Sequence, residues 1–137
     1  MTPEQWVRNY AHAWETRNTY EIVSLFTPDA SYYSYVFDEP HVGHNAIQLY
    51  WETAAGQQRE IKVRMAKPIV SSDGEEGTNR AAVEWWTTMV DPEKGPVSVT
   101  GVMLVKFTVE GLCWELWEYW ELQDGMREPP EGWGGID

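Results

Sequence analysis

The acid with the most suggestive chemical setting in this sequence is Glu118. It lies in a run, Leu112 to Leu122, that reads as a strand. In a strand, residues two apart share a face. One face then carries Leu112, Trp114, Leu116, Glu118, Trp120 and Leu122, a single carboxylate among large apolar side chains. The other face, Cys113, Glu115, Trp117, Tyr119 and Glu121, is mixed, so the first is expected to face the interior. A charge in an apolar surround is costly. Burial therefore raises a carboxyl pKa toward neutrality, the range of a general acid or base. The competing reading is that Glu118 is hydrogen-bonded to a Tyr or Trp, or paired with an Arg, and only holds the fold. An inverted sheet would expose it.

Other residues could share a site with it. Trp6, Val7, Tyr10, Ala11 and Trp14 repeat at helical spacing and form one stripe. Tyr10 and Trp14 can serve either as core or as the wall of a pocket. Tyr32 and Ser34 share a strand face, and Trp85 and Thr87 share another with Val83 and Met89. His12 sits beside Ala11 and Ala13 on a helix with no Cys, His or carboxylate at ligand spacing, and no metal site is expected. His41 and His44 flank a loop and a helix start, where a histidine could act as a base at a pocket mouth. There is no Gly-rich phosphate loop, Ser-x-x-Lys or nucleophile elbow, and no cofactor is predicted.

These residues need elements to position them. Thr2-Pro3-Glu4-Gln5 predicts a helix start with a Thr cap, Pro at the first position and Gln closing a capping box. Asn18-Thr19-Tyr20-Glu21 predicts a second box, opening a short helix through Ile22, Val23, Leu25 and Phe26 that Thr27-Pro28-Asp29 stops. Residues 30–37 read as a Tyr-rich strand. Residues 38–43 read as a loop, and 44–55 as a third helix with Gly56 as its stop. Ile61, Val63, Met65 and Ile69 alternate with Lys62 and Arg64. Residues 71–78 read as a polar turn, 81–90 as a strand and 91–96 as a turn. Val97, Val99, Met103, Val105 and Phe107 share one face of a long strand, which Glu110-Gly111 turns into the last one. Helices first and strands afterwards imply a segregated α+β fold with hairpin-connected antiparallel strands.

The 137 residues suit one domain, 1–124, with a Pro/Gly-rich tail, 125–137, that is expected to lack regular structure. Aromatics reach 14% of the chain, enough for wide core spaces or cavity walls. The net charge of −12 repels phosphate backbones, which disfavours nucleic acid and anionic membrane as partners. The single Cys113 leaves no internal disulfide. The N-terminus has no signal-peptide pattern and no apolar run reaches membrane length, so a soluble cytoplasmic protein is expected.

The order of these features resembles the nuclear-transport-factor-2-like superfamily, in its SnoaL-like (polyketide-cyclase-like and ketosteroid-isomerase-like) branch. The motifs are Phe26-Thr27-Pro28-Asp29-Ala30, an aromatic strand, Glu39-Pro40, Gly43-x-x-Ala46-Ile47, and four strands ending in Trp117-Glu118-Tyr119-Trp120-Glu121. The resemblance implies a cone in which a curved antiparallel sheet and three N-terminal helices enclose a pocket. It also implies a homodimer paired through the outer sheet face. It puts Tyr10 where ketosteroid isomerases keep an oxyanion-binding tyrosine, Ser34 where they keep the general-base aspartate, and Met103 near their second oxyanion acid. Against epoxide hydrolases, Glu118 matches the catalytic aspartate of the last strand and Tyr32 a water-positioning tyrosine. Ser34 replaces their asparagine, and Trp85 and Thr87 replace an Arg–Asp pair. Neither set is complete. The resulting expectation is a pocket for a small, largely apolar organic molecule. Glu118 would be the acid or base of a cofactor-free isomerase, cyclase, dehydratase or hydrolase, with Tyr10 and Tyr32 as donors. Trp14, Ser34, Trp85, Thr87, Met103 and Trp120 would line it. The alternative is a non-catalytic binding or dimerisation module, with Trp86, Trp117 and Tyr119 as contact rings.

Overall fold

The computed structural model describes residues 1–72 and 79–135. Helices α1 (Pro3–Glu15), α2 (Thr19–Ser24) and α3 (Gly43–Ala55) sit against a sheet built from β1 (Phe26–Tyr33), β2 (His41–Val42), β3 (Arg59–Met65), β4 (Ile69–Ser71), β5 (Asn79–Asp91), β6 (Gly95–Phe107) and β7 (Cys113–Asp124). The strand order is β2-β1-β7-β6-β5-β3, with β4 on β5. The α+β cone expected from the sequence is therefore present. The sheet is mixed, however: β1 runs parallel to β7, while the other pairings are antiparallel. Hairpin reasoning could not see this pairing, because β1 and β7 are far apart in the chain.

Local chemistry explains the element starts. The Gln5 N–H donates to Thr2 Oγ1 and the Thr2 N–H donates back to Gln5 Oε1, closing the capping box. Asn18 Oδ1 accepts from the Glu21 N–H at the start of α2. That helix ends at Ser24, earlier than expected, and Phe26 already belongs to β1. Thr27-Pro28-Asp29 lies within the strand rather than acting as a helix stop. Proline is tolerated there because the β1–β7 register shifts between Phe26 and Ser31, which relieves the ladder of a donor Pro28 lacks. The run from Ile61 to Ile69 splits into β3 and β4. Of the expected turn over 71–78, residues 73–78 lie outside the described residues.

Trp6, Val7, Tyr10, Ala13 and Trp14 form the buried stripe of α1. Trp6 is fully buried, stacks on Tyr10 at 4.9 Å and donates its indole N–H to the Leu25 carbonyl at 2.9 Å. It thus ties α1 to the junction of α2 and β1.

The last strand departs from simple alternation. Lys106 pairs with Glu115 but Phe107 pairs with Cys113, so Trp114 is an extra, bulged residue. Cys113 and Leu116 both face the core, and Trp114 turns out to solvent under Lys106. From Leu116 onward the parity is the expected one, with Glu118 inside. No described helix is long and apolar enough to cross a membrane.

The tail is not free. Ser98 Oγ donates to the Gly125 carbonyl and accepts from the Arg127 N–H, both at 2.8 Å. Trp86 donates to the Arg127 carbonyl, the Lys67 N–H donates to the Gly134 carbonyl, and Trp133 meets Trp86 edge-on at the 3₁₀ turn Trp133–Gly135. The segment lies along the outer face of β5 and β6, away from the cone interior.

Candidate functional site

The inner sheet face is organised in rungs across β5, β6 and β7. Val83, Met103 and Glu118 form one rung; Trp85, Gly101 and Trp120 form the next; Thr87, Val99 and Leu122 form the third. α1 lays Tyr10 and Trp14 over these rungs, and α3 adds Tyr50 and Trp51. A cavity of about 210 Å³ remains between them. Trp14, Trp51, Trp85, Trp120, Tyr35 and Tyr50 supply its aromatic walls, and Glu118 and Asp91 its acids. Sites for drug-sized ligands occupy roughly 300–1,000 Å³, so this one suits a smaller molecule.

Glu118 is 6% exposed. Its carboxyl is pushed up to about 7, because burial disfavours the charge and outweighs the nearby hydroxyls of Tyr32 and Tyr10. Tyr10 Oη donates to Glu118 Oε1 at 3.3 Å. Tyr32 Oη lies close enough to favour the ionised carboxylate, yet it makes no hydrogen bond of regular geometry. Burial, together with the field of Glu118, raises both tyrosines well above their ordinary range. They therefore stay protonated and act as donors.

The other sequence candidates fall into three places. Trp14, Trp85 and Trp120 reach the cavity surface beside Glu118. Met103 and Thr87 are fully buried in the wall, on the inner face but not at the cavity surface. Ser34 lies in an adjoining outer groove that Glu118, Tyr35 and Trp120 also border. Tyr10 and Tyr32 stand behind Glu118 rather than beside the open space.

Sequence reasoning did not single out Trp51 or Asp91, and it considered His41 only as a loop histidine near a pocket mouth, not as a partner of Ser34. His41 Nε2 and Ser34 Oγ are 3.0 Å apart, because the β1–β2 register sets His41 opposite Tyr32. Burial lowers the pKa of His41, against the raising field of Asp38. The signal for this pair was the proximity of two polar residues across a short loop, but the two-residue strand β2 has no periodicity to detect. His44 donates to the Phe26 carbonyl at 2.9 Å and is a structural bond. Among the described residues no cluster of His, Cys, Asp and Glu could hold a metal ion.

The four indole N–H groups around the cavity are either bonded or buried. Trp120 donates to the Ser34 carbonyl at 2.8 Å. The indole nitrogens of Trp14, Trp51 and Trp85 are buried with no acceptor. Each of these rings meets another edge-on, for example Trp14 and Trp51 at 5.4 Å and 70° and Trp14 and Trp85 at 5.3 Å and 66°.

The sequence pattern of the SnoaL-like domain matches residues 7–116. No curated protein matches the chain. Among solved structures, the chain is similar to SalBIII, described as an epoxide hydrolase/cyclase-like enzyme of pyran ring formation in the polyether salinomycin. The identity is 20%, the TM-score is 0.75, and the match covers 89% of this chain and 95% of that one. It is also similar to a hypothetical protein of ketosteroid-isomerase-like fold from Catenulispora acidiphila, solved in complex with trimethylamine. There the identity is 19%, the TM-score 0.72 and the coverage 87% and 86%. With the family pattern spanning most of its length and the cone built as described, the chain belongs to the SnoaL-like domain family of the nuclear-transport-factor-2-like superfamily.

Proposed function

We propose that the chain binds a small, largely apolar organic molecule in the cone cavity and moves a proton on it with Glu118, without a cofactor. The observation that carries this reading is a buried carboxyl at the cavity surface, pushed up to about 7, with Tyr10 donating to it at 3.3 Å. A carboxyl of that pKa can give or take a proton near neutral pH. The protonated Tyr10 and Tyr32 would steady whichever charge develops next to it. Ring closure is the reaction class we favour. It needs proton transfer in a dry cavity, and SalBIII is described in a ring-forming reaction.

The test is turnover of small hydroxy-epoxides and enolisable ketones by the wild type and by Glu118→Gln. Wild-type turnover should change through about pH 7. It should rise if Glu118 is the base and fall if it is the acid. Glu118→Gln should lower it by about 100-fold or more. Equal turnover in the two proteins, or none in the wild type, removes the catalytic reading.

The outer sheet face favours a second role, pairing of two copies. Tyr119 and Leu104 are exposed there, and Tyr33 stacks on Trp117 at 3.6 Å. The tail covers the Thr88–Ser98 part of this face and leaves the Leu104–Tyr119 part open. Replacing Leu104 and Tyr119 by Glu should turn a dimer into a monomer in sedimentation velocity. A monomeric wild type rules this pairing out.

A further inference from the structure

The cavity walls differ from those of an ordinary apolar pocket in the sign of what they offer. Trp14, Trp51, Trp85 and Trp120 line the space, but their indole N–H groups are buried or already bonded. The cavity therefore meets ring carbon. An aromatic face is the negative side of its quadrupole. The rings are steeply inclined to one another, Trp14 to Trp51 by 70°, Tyr50 to Trp51 by 82° and Tyr35 to Trp120 by 61°, so they form a box rather than a stack.

The charged groups at the cavity surface have the same sign. Glu118 lies inside and Asp91 lies at the rim, where the backbone N–H groups of Lys94 and Glu93 favour its ionised form. Among the described residues no Lys or Arg lines the cavity. The Arg17 guanidinium touches the region from outside, through the carbonyls of Gly56 and Gln58. The whole chain adds a net charge of −12, which draws cations toward it.

From these observations we infer that the occupant of the cavity carries a positively charged, alkylated nitrogen, held against the Trp and Tyr faces with Glu118 as its counter-ion. This inference rests on the binding reading above and narrows its ligand class. Alkylation follows from the walls. A bare ammonium needs an acceptor for each N–H, and buried donors without acceptors are costly. Here the walls are mainly aromatic and aliphatic carbon, and the charged acceptors are the carboxylates of Glu118 and Asp91. A methylated nitrogen has few or no N–H groups, spreads its charge over its methyl carbons and is the natural partner of an aromatic box. The modest cavity volume suits such a head group.

The test compares choline with its neutral carbon isostere 3,3-dimethylbutan-1-ol, by tryptophan fluorescence and calorimetry. Ionic strength is held constant with KCl, so that the surface field is screened equally. Wild type should bind choline about tenfold or more tightly than the isostere. Glu118→Gln should lose most of that preference while still binding the isostere, which proves its cavity intact. Trp120→Leu, changed at a half-buried wall, should lose part of it. Equal affinity of wild type for the two probes overturns the cationic ligand and leaves the apolar-pocket reading standing. Unchanged choline binding by Glu118→Gln overturns the counter-ion. Binding of neither probe overturns the inference; the turnover assay above then decides the broader reading separately.

Discussion

Replacing Glu118 by Gln is expected to make the protein less sensitive to alkaline pH, although it removes the proposed proton-transfer group. The carboxyl has an ordinary pKa of 4.5 and is pushed up to about 7 by burial in the native state. Between these values the native chain holds a proton that the unfolded chain has lost. Stability therefore falls as pH rises through this window and levels off above it. At about 1.4 kcal/mol per pKa unit, a shift of this size costs on the order of 3 kcal/mol once Glu118 is ionised.

Gln introduces a cost of its own, because its amide brings buried N–H donors next to Tyr10. An unsatisfied buried donor costs about 1–3 kcal/mol. That penalty is independent of pH, so the change with pH isolates the carboxyl. Between about pH 5 and about pH 8, the stability of Glu118→Gln relative to wild type should rise by about 2–3 kcal/mol. Asp91 and Glu115, whose pKa values are lowered, act in the opposite direction, but they are common to both proteins and cancel. Urea denaturation at the two pH values gives the difference. A relative stability that stays constant would mean that Glu118 is ionised throughout, and the acid–base reading would lose its basis.

Much of this site was legible in the sequence because it rests on short-range rules. Strand parity put Glu118 inside, and helical spacing put Tyr10 and Trp14 on the buried face of α1. Parity failed at Trp114, since a bulge adds one residue without any mark that distinguishes it from the residues around it. It gave the right side for Glu118 because the strand is regular from Leu116 onward. The parallel β1–β7 pairing and the Ser34–His41 contact depend on which distant segments meet, and no periodicity encodes that. The same is true of the box itself. Its rings come from α1, α3, two strands and a loop, and only the folded chain reveals that they surround one cavity with their indole N–H groups buried or bonded.

Gly101→Ala is expected to be among the most damaging single-methyl changes in the molecule. In the sequence, Gly101 is the gap in the apolar series Val97, Val99, Met103, Val105, Phe107. In the sheet it sits on the rung between Trp85 and Trp120. An added Cβ would lie 2.1 Å from the Tyr119 carbonyl oxygen and 2.9 Å from Trp120 Cα and Cβ. The first two of those atoms are backbone, so no side-chain rotation relieves the contact. Glycine in a strand commonly marks such a close approach of another backbone. β7 must shift away from β6, and the shift moves Trp120 and, two residues before it, Glu118. Overpacking of this kind costs about 1–3 kcal/mol and occasionally more; a backbone clash puts Gly101→Ala at the upper end, about 3 kcal/mol, read as a lower urea midpoint. The same displacement should weaken ligand binding in the cavity even where the variant remains folded, because one wall of the box and its acid move together. A variant within about 0.5 kcal/mol of wild type, with unchanged binding, would mean that β6 and β7 can separate at this rung at little cost. The rigid placement of Glu118 against the aromatic walls would then have to come from the helices alone.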